Sequence, residues 1–90
     1  MDKPRAPHFD GTNYPYWQIR MASHLEAVDL DVWRVTSLGM NPIKRPDNPT
    51  VGDKKELHAN AIARDILLSS LSIDMFNRVS LLTSAYEIWQ

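Results

Sequence analysis

Apolar side chains along this chain return every three or four residues, and nowhere do they alternate in the period of two that a half-buried strand requires. The clearest stretch is Tyr14, Trp17, Met21, Leu25 and Val28, one face of an α-helix, while Gln18, Arg20, Ser23 and Glu26 fall largely elsewhere. Asn13 stands where an N-cap belongs, and Pro15 occupies a first-turn position where a missing N–H costs little. Because Tyr14 precedes that proline and is biased away from helical angles, the boundary is blurred by a residue or two.

The same spacing and the punctuation between stretches predict four further helices. Asp29 or Asp31 caps a short one carrying Val32, Trp33, Thr36 and Leu38, and Gly39 is placed to stop it in a left-handed conformation. Residues 40–52 hold three prolines, two asparagines and the Lys44–Arg45 pair, and read as a long exposed loop, mobile rather than functional. Thr50 and Asp53 form a capping box for a long helix whose first turn, Asp53 to Glu56, is solvated. Its apolar stripe is expected to be Leu57, Ala61, Leu68 and Leu71 with Ile62 and Ile66. Ser72 caps a fourth helix with Ile73, Phe76 and Val79 inward, and Thr83 or Ser84 caps a fifth with Ala85, Ile88 and Trp89. The expected fold is all-α, about five short-to-medium helices around one core, with residues 1–8 an extended N-terminal arm and residues 9–90 a single helical domain.

Ninety residues, 43% of them apolar, suffice for one core and no second domain. A chain of this size buries about 60 to 65% of its unfolded surface, so the margin of stability is thin. With no cysteine, disulfides, thiolate zinc sites, zinc knuckles and cysteine nucleophiles are all excluded. The longest apolar run, Ile66 to Leu68, is far too short for a bilayer and no signal-peptide stretch opens the chain. A cytoplasmic location is expected and a nuclear one is compatible. A chain ending on the apolar Trp89 and Gln90 is expected either to continue in a longer parent sequence or to pack that edge on something else.

Chemistry is sparse. His8, His24 and His58 include no pair at i and i+4 for a metal, and Gly11, Gly39 and Gly52 are too dispersed for a phosphate-cradling loop. No enzyme activity, metal or cofactor is expected. Ten basic against eleven acidic side chains supply no bulk field for nucleic acid, and Lys3, Arg5, Lys44, Arg45, Lys54 and Lys55 read as solvated charge. Trp17 and Trp33 are expected in the core, whereas Tyr16 and Ile19 widen the apolar surface of the first helix beyond what a small core covers. Either the N-terminal arm or a partner protein covers them.

Gly11, between Asp10 and Thr12, permits a tight turn that folds Phe9 back as a staple on the first helix, which Trp17 anchors; Trp89 then closes the core from the far side. The series Phe9, Gly11, Asn13, Tyr14, Trp17, Met21 and Leu25, followed by Asp31–Val32–Trp33 and a proline-rich loop, resembles the N-terminal Gag (capsid-region) segment of plant copia-type LTR retrotransposons. Ala59–Asn60–Ala61, the Leu71–Ser72 break, Phe76 to Val79 and Ser84 to Trp89 are similar to the continuation of that family. The resemblance implies a helical capsid lobe that self-assembles with other Gag copies around the element's RNA. It also implies that nucleic-acid contact belongs mainly to a later zinc knuckle. On that basis Tyr16, Ile19, Leu82 and Trp89 are candidates for the surface that meets another copy. The alternatives are a domesticated, truncated Gag that binds a host protein or interferes with Gag assembly and, below it, an RNA-binding adaptor. No membrane partner is expected.

Overall fold

The computed structural model describes residues 6–89; of the arm expected over residues 1–8, residues 1–5 lie outside them. Five helices follow in order: α1 Tyr14–Val28, α2 Leu30–Ser37, α3 Val51–Ser69, α4 Ile73–Val79 and α5 Ala85–Trp89. Among the described residues there is no strand, only a bridge between Phe9 and Leu71, so the all-α expectation holds. The short α2 is the hub of the fold, packed against α1, α3 and α5.

The entry to α1 is a turn built from side chains. The Asp10 carboxylate accepts the Thr12 N–H at 3.0 Å and the Thr12 hydroxyl at 2.6 Å, which curls the backbone through Gly11 at φ +97°. Asn13 occupies the N-cap position but in the left-handed region, φ +50°, and its side chain makes no capping bond. Its contribution is conformational, since asparagine tolerates that region better than most residues. The turn carries Phe9 back so that its N–H reaches the Ser70 carbonyl at 2.8 Å and its own carbonyl accepts from Ser72 at 2.9 Å. Ala6 and Pro7 follow the same course: Ala6 packs on the core and the Pro7 carbonyl accepts the Trp17 indole N–H at 2.9 Å.

One residue separates α1 from α2. Asp29, extended at φ −172° and ψ 136°, ends the first helix and caps the second by accepting the Asp31 N–H at 2.7 Å. Gly39, at φ +86°, stops α2 as expected, with its N–H on the Val35 carbonyl. The capping box forms with both bonds, Thr50 N–H to Asp53 at 2.9 Å and Asp53 N–H to Thr50 at 3.0 Å. The helix therefore begins at Val51, so the irregular loop is two residues shorter than 40–52 and Gly52 lies in the first turn.

The core contains Trp17, Met21 and Leu25 of α1, Val32 and Val35 of α2, Ala59, Ala63 and Leu67 of α3, and Ala85 and Trp89 of α5. Several inward positions differ from the sequence expectation. On α3 the buried face is Glu56, Ala59, Asn60, Ala63 and Leu67, one residue around from Leu57 and Ala61, which are exposed. Small Ala59 and Ala63 let α2 approach closely, and polar groups complete the face. On α4, Ile73 is 79% and Phe76 39% exposed, because that helix lies at the periphery and buries no residue fully; Val79 faces the body as expected, with Met75 beside it in place of Ile73 and Phe76. Tyr14 and Val28 are edge residues, Leu38 points out, and Trp33 is half-buried against Trp89.

Candidate interaction surface

A chain of aromatic rings ties the N-terminal segment to both ends of the fold. Phe9 contacts Tyr14 and Trp17 with centroids at 5.6 and 5.0 Å, Trp17 meets Trp89 at 5.7 Å, and Trp89 meets Trp33 edge-on at 5.6 Å. Such contacts stabilise by about 0.5 to 1.5 kcal/mol each beyond area burial. The Tyr14 hydroxyl donates to the Trp89 carbonyl at 3.3 Å and accepts from Gln18 at 3.2 Å, which explains its position at the rim. An apolar recess of about 160 Å³ lies between Phe9, Tyr14, Leu71 and Ile88 on one side and Met75 and Val79 of α4 on the other.

This arrangement sorts the four candidate contact residues. Trp89 is 8% exposed and belongs to the core, because the indole packs between Trp17 and Trp33. Leu82 is half-buried in the loop between α4 and α5, its carbonyl held by the Arg64 side chain at 2.8 Å. Tyr16 and Ile19 remain on the surface, 58% and 73% exposed, on the side of α1 away from Trp17, Met21 and Leu25. The described part of the arm leaves both uncovered. The four residues therefore do not form one patch; the continuous surface is the outward face of α1.

That face has structure of its own. The Arg20 guanidinium donates to the Tyr16 hydroxyl at 3.1 Å and lies 5.7 Å from the ring centroid. One helical turn fixes both groups, as the i, i+4 relation dictates. Ser23, Glu26 and Ala27 continue the face and are exposed.

Three polar residues of α3, missed in the sequence, hold the scaffold in place. Asn60 accepts the Ala85 N–H at 2.9 Å and donates to the Thr83 carbonyl at 3.0 Å, so it caps α5 in place of the expected Thr83 or Ser84. Arg64, one turn on, donates to the carbonyls of Leu82 and Ser80. Glu56, expected in a solvated turn, is buried, paired with Arg34 of α2, and accepts the Asn41 N–H at 3.1 Å. The Arg34 hydrogen bonds hold the Glu56 carboxyl below its ordinary range against the opposing effect of burial, with Asn41 adding to the shift. The detectable signal was the spacing of Glu56, Asn60 and Arg64, one polar residue per turn beside Ala59, Ala63 and Leu67.

No group of three or more metal-ligating side chains forms among the described residues, and none of their helices is long and apolar enough to cross a membrane. Comparisons with protein-family models, curated proteins and solved structures find no match.

Proposed function

We propose that this chain is a structural, capsid-type Gag domain that acts by association with like copies and carries out no reaction. The resemblance in sequence supports this reading, and the residues that carry it have definite tasks. Gly11 turns the chain, Trp17 anchors α1, and Trp89 closes the aromatic chain. The observation that carries the reading is the outward face of α1, where Tyr16 and Ile19 stay exposed although Trp17, Met21 and Leu25 on the opposite side of the same helix are buried. Repeated weak contacts through such a face suffice for a shell, because each added contact acts at the high local concentration set by the others.

Light scattering across a concentration series tests it. The weight-average mass is expected to rise above that of the 90-residue monomer, and Ile19→Asp is expected to restore the monomer with an unchanged helical spectrum. A chain that stays monomeric up to about 1 mM, the regime of the weakest specific contacts, overturns the proposal.

A further inference from the structure

The outward face of α1 is complementary to itself when reversed. Its exposed residues run Tyr16, Ile19, Arg20, Ser23, Glu26 and Ala27, and the exposed Leu30 follows where α2 begins. In an antiparallel pair of α1 helices with Ser23 on the two-fold axis, Arg20 meets Glu26 of the second copy. Ile19 then meets Ala27, and Tyr16 lies over the C-terminal end of α1 of the second copy. The positions on either side of the axis are chemically matched. The basic residue opposes the acidic one, the large apolar residue opposes the small one, and the small Ser23 side chain sits at the crossing.

We propose that two copies of this chain pair through α1 as an antiparallel two-fold dimer centred on Ser23, with reciprocal Arg20–Glu26 ion pairs. This rests on the association reading above and names the partner surface. Within the chain neither Arg20 nor Glu26 has an ion-pair partner among the described residues. Arg20 is already laid along the helix by Tyr16 and retains free donors for a carboxylate. A two-fold contact needs this self-complementarity, in which each contact occurs twice. The 15 residues of α1 extend about 22 Å, so the interface lies at the small, reversible end of the range. A unit in a growing shell requires such reversibility.

Charge reversal distinguishes this dimer from other modes of association. Arg20→Glu and Glu26→Arg, each alone, are expected to weaken self-association about tenfold, the scale of a charge reversal at an exposed pair repeated by symmetry. Mixing the two variants restores pairing, because each copy then supplies one sign. Since the chain has no cysteine, Ser23→Cys gives a single thiol; mild oxidation is expected to yield a covalent dimer, whereas Lys54→Cys on α3 does not. Helical spectra of all variants serve as the folding control. Association that persists through both reversals, with no gain on mixing and no Ser23→Cys crosslink, overturns this dimer while leaving association by another face intact. A wild-type chain that is monomeric throughout overturns both.

Discussion

Asn60 does with one side chain what a local cap ordinarily does, and it does so from another helix. Its amide satisfies the Ala85 N–H and the Thr83 carbonyl together, so Asn60→Ala leaves two backbone groups near the core without partners. A destabilisation of about 2 kcal/mol is expected, read by urea denaturation, together with increased solvent exposure of Trp89 in fluorescence. Glu56 is the second such residue. Arg34 holds its folded-state pKa below the ordinary 4.5. Stabilisation from the pair is therefore complete above that value and is lost as pH falls through the lower, folded-state pKa. The urea midpoint of the wild type is expected to exceed that of Glu56→Gln at neutral pH, with the gap closing only in the acid range below 4.5. Neither role could be read locally, because Arg34 lies 22 residues and Ala85 25 residues from its partner. A glutamate following Lys54 and Lys55 looks solvated until the fold brings a guanidinium beside it.

At the level of elements, spacing located the helices and punctuation located their ends. Gly39, Thr50, Asp53 and Ser72 all act as their residue types dictate. The inward faces were harder to read. On α3 a hydrophobic count favours Leu57 and Leu68, yet the buried face lies about 100° away, one residue around the helix, because Ala59 and Ala63 admit α2 and Asn60 must reach α5. On α4, Ile73 and Phe76 have suitable spacing for a core, but the seven-residue helix is held only at the edge, through Met75 and Val79. Two expectations follow. Gly39→Ala, forced to φ +86°, should cost about 1 to 2 kcal/mol in thermal or chemical denaturation. In hydrogen exchange the amides of α4 should open well before those of α3, since local stability follows buried contact.

For the whole molecule, a single aromatic chain from Phe9 through Trp17 and Trp89 to Trp33 joins the two ends of the sequence across α1, α2 and α5. With so thin a margin, Trp89→Ala should cost about 3 to 5 kcal/mol and unfold much of the population, as a lowered thermal midpoint will record. The sequence anticipated this closing role for Trp89 and also offered the residue as a contact; burial among indoles leaves it only the first. Tyr16 and Ile19 were legible because helical geometry alone puts them opposite or beside Trp17, Met21 and Leu25. Association through α1 is the central claim, and amide NMR over a dilution series tests it at residue resolution. Concentration-dependent shifts should gather at Tyr16, Ile19, Arg20, Ser23 and Ala27 while the Trp17 indole signal stays fixed. Spectra that do not change with concentration, or changes confined to other helices, would contradict it.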